Sequence, residues 1–281
     1  MAVISPAKFF MKIARFIDTA GSICFGAYQP DGSMFLLEGD LYAGLKPTGK
    51  TAAVRKLLAP LVPTAVLGVG LNYKRHAEES GMKAPEQPVL FAKGLNTVQN
   101  PGDAIQIPTA LASNEVDYEC ELAVVIGQAC KNVTRERALD YVLGYTCAND
   151  VSARDWQLKR GGGQWCRGKF FDTFCPLGPY LVTTDDIPNP NALIIRTVLN
   201  SATVQDWNTN DMIFDVPALI EFLSGSTTLL PGTVILTGTP HGVGMAAKSP
   251  RWLQPGDTVT IEIEKIGALT NFVELEPKVS R

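Results

Sequence analysis

The chain has 281 residues, a formal net charge of −3, and 46% apolar against 19% charged residues, the balance of a folded globular protein rather than a disordered one. Its mild acidity disfavours nucleic acid or an anionic membrane as partner, and no apolar run approaches the ~20 residues that cross a bilayer. The length allows one large domain, or one large and one small, with ample core.

In chain order, the opening MAVISPAKFFMKIARF has neither an h-region nor a small-residue cleavage site, which argues against secretion. A cytoplasmic protein is expected, with organelle targeting left open by the basic residues before Asp18. Residues 11–40 alternate apolar runs with turn signals (11–17, 23–28, the Pro30-Asp31-Gly32 turn, 34–37), a small antiparallel unit. Residues 52–61 read as a helix and 60–63 as a boundary. The expected division is a small N-terminal α/β domain, residues 1–62, and a larger domain, residues 63–281. The larger one is mostly short strands with Gly, Pro or Asn punctuation: 65–71, 89–93, 104–107, 122–126, 180–183, 193–199, 234–237 and 258–263. Two helices are predicted, 135–142 capped by Thr134 and 216–223 capped by Asp215 with Pro217 in its first turn. Mostly β with few helices, an α+β chain, is the fold class.

Chemistry concentrates in NEVDYECELAVVIGQACKNVTRERALDYVLGYTCANDVSARD, residues 114–155. On a strand, Glu119 and Glu121 share a face with Ala123 and Val125, roughly 6–7 Å apart, while Cys120, Leu122, Val124 and Ile126 take the other. Apolar residues on both faces mean a strand covered on both sides. Two carboxylates there need a counter-charge, most simply a cation, though an acidic pair at an exposed strand end gives the same tripeptide. His76 and Glu79 in NYKRHAEE fall at i, i+3 on a short helix, where a carboxylate can orient an imidazole as a general base; a solvated helix face is the plainer reading. Lys159–Lys169, KRGGGQWCRGK, lacks phosphate-loop spacing and can be a loop that closes over a ligand or a mobile surface loop. Lys169 precedes Phe170-Phe171, so its ammonium is expected to point towards an acidic partner. TGTPHGVG, 237–244, can cradle an anion with its amides or simply turn. The six cysteines show no C-x-x-C spacing and read as reduced, mostly buried thiols. Zinc is disfavoured, since His76 and His241 have no second ligand at metal spacing.

NYKRHAEE, DYECEL, NDVSARDWQ, GKFFDTFCPLGP, NTNDMIF and LTGTPHGVG stand in this order, and together they resemble the fumarylacetoacetate hydrolase superfamily over roughly residues 65–275. Within it, the chain looks most like the domain-containing, acylpyruvase-type group that acts on small 2-oxo acids. The resemblance implies a mixed β-roll core, a homodimer, and one Mg²⁺ or Mn²⁺ held by Glu119, Glu121 and Asp150. Three carboxylates agree with a hard divalent ion. It also implies a water-activating dyad of His76 and Glu79 on a lid, Lys169 beside the developing negative charge, and Arg154, Gln157, Gly238 and Thr239 around the substrate. The family often has Pro after the lysine of its F-x-K strand; here Gly94 follows Lys93, so a looser loop is expected.

The activity these residues imply first is C–C bond hydrolysis of an acylpyruvate-like or fumarylacetoacetate-like 1,3-dicarbonyl acid through an enolate. The same site supports oxaloacetate decarboxylation or keto–enol tautomerisation, and a non-catalytic 2-oxo-acid-binding protein is the third possibility. The cations Lys74, Arg75, Lys159, Arg160 and Arg167 fit either an anionic substrate or a solvated surface.

Overall fold

The structure, a computed structural model, describes residues 12–277; the first eleven residues of the stretch read for targeting lie outside the described residues. Its backbone is a large mixed sheet with a five-stranded sheet packed against it. Across the large sheet the strands run Gly44–Thr51, Met34–Asp40, Ile23–Tyr28, Lys12–Asp18, Cys175–Thr183, Val142–Asn149, Cys120–Ile126, Thr233–Leu236, Ala65–Gly70 and Val89–Lys93. The five-stranded sheet runs Ala202–Asn208, Ile194–Leu199, Thr258–Ile263, Gly267–Leu275 and Ile105–Ile107. Mostly β with few helices is what the structure shows.

The strand Cys120–Ile126 is central, and every residue of it is buried. Cys120, Leu122, Val124 and Ile126 pack with Ile195, Leu199, Ile261 and Leu269 of the smaller sheet. Ala123 and Val125 pack on the opposite side with Leu37, Leu61, Val66 and Leu177. The two-sided burial expected from the apolar run is therefore real, and Ile13, Ala27 and Leu37 of the N-terminal strands contribute to the cover on one side. Those strands join the large sheet directly, with Lys12 opposite Val182 and Ile13 opposite Leu181.

One expected helix is absent. Residues 52–61 do not coil; Val54–Leu58 is a strand that pairs Lys12–Asp18, with Arg15 opposite Leu58 and Phe16 opposite Leu57. Val54, Leu57 and Leu58 have helix-like spacing, but pairing with an existing sheet edge overrides so weak a local preference. The N-terminal part thus consists of strands and turns with no helix among its described residues, rather than α/β. Elsewhere, Val216–Ser224 is the expected helix, with Asp215 Oδ1 accepting from Ala218 N at 3.0 Å. Arg135–Tyr141 is a tighter 3₁₀ helix in which Thr134 makes no side-chain cap. All six cysteines are free, four of them buried.

Candidate metal centre and active site

The hairpin register explains how acids from two segments meet. Cys120 lies opposite Asn149 and Glu121 opposite Ala148, and just beyond the ladder Asp150 N donates to Glu119 O at 2.9 Å. Directly opposed residues share a face, so Asp150 projects beside Glu119, with Glu121 one step along. The three carboxylates are buried and offer oxygens all within 4.8 Å of one another.

Their surroundings are unequal. Lys169 Nζ donates to Glu119 Oε2 at 2.8 Å, Asp150 Oδ2 at 2.5 Å and Ser152 Oγ at 2.8 Å. Lys93 Nζ lies 2.6 Å from Asp150 Oδ1, with both side chains fully buried. Arg154 Nη1 lies 2.8 Å from Glu119 Oε1. Burial alone would raise the Glu119 carboxyl, but Lys169 and Arg154 outweigh it and hold the group below the ordinary range. Burial likewise opposes the charged Lys169 ammonium; Asp150 and Glu119 overcome it, and its pKa rises. Glu121 receives one hydrogen bond, from Gly238 N at 2.7 Å, and forms no ion pair among the described residues. Burial, with Asp150 and Glu119 beside it, pushes this carboxyl well above its usual value. A buried carboxylate that pairs with no cation among the described residues, facing two others, fits a divalent ion with oxygen ligands.

His76 and Glu79 lie on the helix Lys74–Glu79, with His76 Nδ1 3.2 Å from Glu79 Oε2. Arg75 stacks over Trp207 at 4.0 Å, which holds the helix from its other side. The predicted cradle at 237–244 is present, but the protein's own acids fill it. Gly238 N serves Glu121, Gly242 N serves Glu79 at 2.9 Å, and Gly244 N serves Asp117 at 2.8 Å. Gly238 has φ +95°, a conformation that favours glycine.

A cavity of about 240 Å³ is lined by His76, Glu119, Glu121, Arg154, Gln157 and Lys169, with Phe91, Trp165 and Met245 among its apolar walls. Gln157 Oε1 accepts from Arg154 Nη1 at 3.0 Å. Nine of the ten site residues read from the sequence therefore converge or connect here: six line the cavity, Asp150 completes the acidic cluster, Glu79 holds His76, and Gly238 N holds Glu121. Gly238 and Thr239 do not line it. Thr239 Oγ1 is instead bonded to Gln205 Nε2 at 2.9 Å. From the Gly-rich segment, Trp165 and Lys169 reach the cavity. His241 packs edge-on against Trp207, 4.9 Å between ring centres, outside the cavity lining.

Two further charged residues belong to the site, although the sequence alone assigns neither of them a role there. Lys93 shares the buried side of its strand with Phe91, and a lysine ending an apolar strand was the available signal. Asp117 precedes Glu119 and Glu121 by the same two-residue step, so DYECE carries three acids on one side rather than two. Its carboxylate accepts from Arg154 Nε at 2.9 Å.

No helix among the described residues is long and apolar enough to cross a membrane. Residues 65–274 match the family described as fumarylacetoacetate (FAA) hydrolase C-terminal, and residues 11–60 match that described as Rv2993c-like, N-terminal. The chain is 50% identical over 218 residues to oxaloacetate tautomerase fahd2, mitochondrial, of Xenopus laevis, covering 77% of this chain and 68% of that protein. Among solved structures, 5-carboxymethyl-2-hydroxymuconate delta-isomerase from Mycobacterium smegmatis superposes with a TM-score of 0.83 at 39% identity, covering 95% of this chain and 100% of that one. Fumarylacetoacetate hydrolase from Exiguobacterium antarcticum gives 0.81 at 34%, with the same coverage. With the family model spanning three quarters of its length and these relatives alongside, the chain belongs to the fumarylacetoacetate hydrolase superfamily.

Proposed function

We propose that the protein is an Mg²⁺- or Mn²⁺-dependent enzyme that enolises a small anionic 2-oxo acid, and that its reaction is keto–enol tautomerisation of an oxaloacetate-like acid. The observation that carries this reading is Glu121, a buried carboxylate that pairs with no cation among the described residues, in one cavity with Glu119 and His76. When all four are ionised, Asp117, Glu119, Glu121 and Asp150 outnumber the cations paired with them, Lys93, Arg154 and Lys169, by one. A divalent ion reverses that sign and makes the cavity attractive to an anion.

Glu119, Glu121 and Asp150 are the residues to hold the ion. When bound, it supplies Lewis-acid stabilisation of the charge that develops as a 2-oxo acid enolises. The rest is done by the chain. Glu79, tied to Gly242, turns the His76 ring through Nδ1, so that Nε2 is the atom to take a proton from the substrate carbon and return it to oxygen. Arg154 and Gln157 orient the substrate carboxylate, and Lys169 adds positive charge beside the enolate oxygen. The name of the 50%-identical tautomerase favours this reaction over bond cleavage.

Hydrolysis of an acylpyruvate remains the second reading, because the His76–Glu79 pair is equally suited to deprotonating a water. One assay separates them. Ultraviolet decay of enol-oxaloacetate, pyruvate release from oxaloacetate, and cleavage of acetylpyruvate are followed with Mg²⁺, with Mn²⁺ and with chelator. Metal-dependent enol decay without pyruvate supports tautomerisation; acetylpyruvate cleavage alone moves the assignment to hydrolysis. Turnover of no oxo acid, with ligand binding retained, leaves a binding protein. We assign the protein to a thiol-reducing compartment, cytoplasmic or organellar, from its six free cysteines. A homodimer is the assembly we propose, tested by light scattering after gel filtration.

A further inference from the structure

Asp117 belongs neither to the acidic cluster nor to the dyad, yet it is fully buried and its carboxylate is saturated. Oδ1 accepts from Tyr118 N at 2.9 Å and Gly244 N at 2.8 Å. Oδ2 accepts from Met245 N at 3.0 Å and Arg154 Nε at 2.9 Å. Arg154 Nη2 lies 2.9 Å from the same oxygen, while Nη1 faces Glu119 and Gln157. Arg154 and Met245 both line the cavity. One carboxylate therefore sets the position of a cation and of a backbone turn that face the same space. The approach needs glycine: a Cβ on Gly244 would stand 2.5 Å from Asp117 Oδ1 and 2.1 Å from Arg251 O.

We propose that Asp117 is a positioning residue, which locks the Arg154 guanidinium in the orientation that receives a substrate carboxylate. The assignment rests on reading the cavity as a 2-oxo acid site. A long cationic side chain left free must be ordered when ligand arrives, at a cost to affinity. Four hydrogen-bond donors converging on Asp117 remove that cost in advance. The competing role is a structural tie between the Val116–Asp117 strand and the turn at Gly244–Met245. The two roles differ in what they move: a tie changes melting temperature, whereas a positioning residue changes ligand affinity through Arg154 and no further once Arg154 is gone.

Oxalate is a compact mimic of the carboxylate–keto end of such an acid. It is titrated calorimetrically into Mg²⁺-loaded native protein and into Asp117→Asn, Arg154→Gln and the double variant, with melting temperatures recorded alongside. Asp117→Asn is expected to weaken oxalate binding roughly 10–100-fold, the usual scale for removing a group that orients a site residue. Arg154→Gln should lose at least as much, and the double variant no more than Arg154→Gln alone, since the two positions act as one. Native affinity in Asp117→Asn with only a lowered melting temperature overturns the proposal, and so do losses that multiply in the double variant. Native protein that binds no oxalate removes the 2-oxo acid reading and this assignment with it. Should Asp117→Asn not fold, a crystal structure of native protein with Mg²⁺ and oxalate decides. Oxalate bonded to an Arg154 still on Asp117 supports the proposal; Arg154 released from Asp117, or oxalate held without it, contradicts it.

Discussion

The hairpin that carries the acids and the wall that carries the histidine are held in different ways. Cys120–Ile126 is buried throughout and pairs with strands on both sides. A one-residue slip would exchange its two apolar faces and drive Glu119 and Glu121 out of the cavity, so burial itself fixes the register. His76 sits on a six-residue helix, too short to stand without tertiary support. Its neighbours in the wall, Met82 and Leu158, are 47% and 45% exposed. Its anchors are few: Glu79 on Gly242, Arg75 on Trp207, and Arg75 N on Asp211 Oδ2 at 3.1 Å. Charge is held in a strand paired on both sides, and proton handling on a short helix with fewer ties.

Substitutions in the two regions should break this contrast in order of size. Glu121→Gln keeps the shape and removes the surplus carboxylate; turnover should fall about 10³-fold or more, and added Mg²⁺ should no longer matter. Activity near native level in that variant would remove the acidic cluster from the mechanism. His76→Ala should lower turnover by about 10²–10⁴-fold while calorimetry finds metal affinity nearly unchanged, because the dyad supports the reaction and not the ion. Leu122→Ala, in the same strand as the glutamates but facing the smaller sheet, should cost about 2–5 kcal/mol in denaturant unfolding. Met82→Ala should cost less than about 0.5 kcal/mol and change KM only a few-fold. If Leu122→Ala and Met82→Ala proved equally damaging to stability, the distinction between a determined hairpin and a lightly held wall would be lost.

The same contrast marks what could be read from residues alone. The acidic strand, its two buried faces and the Asp215-capped helix were legible because each is written locally, in alternation or in a cap. The i, i+3 pairing of His76 with Glu79 was legible for the same reason. The Val54–Leu58 strand was not: its three apolar residues fit a helical stripe, and only the neighbouring Lys12–Asp18 edge makes it extended. Gly44–Thr51 is largely exposed and holds both Pro47 and Gly49, so no apolar alternation announced it. Lys93 meets Asp150 across 57 positions of chain, a contact that no spacing rule can reach. Thr239 was placed around the substrate by family motif, whereas its bond to Gln205 depends on how Ala202–Asn208 packs beneath the turn.

The most direct test of the account is the ion itself. Chelator-stripped native protein, titrated calorimetrically with Mn²⁺, should bind one ion per chain, and Asp150→Asn and Glu121→Gln should each abolish or severely weaken that binding. Binding that survives both substitutions, or no binding by the native chain, would contradict the claim that Glu119, Glu121 and Asp150 form a divalent-metal site.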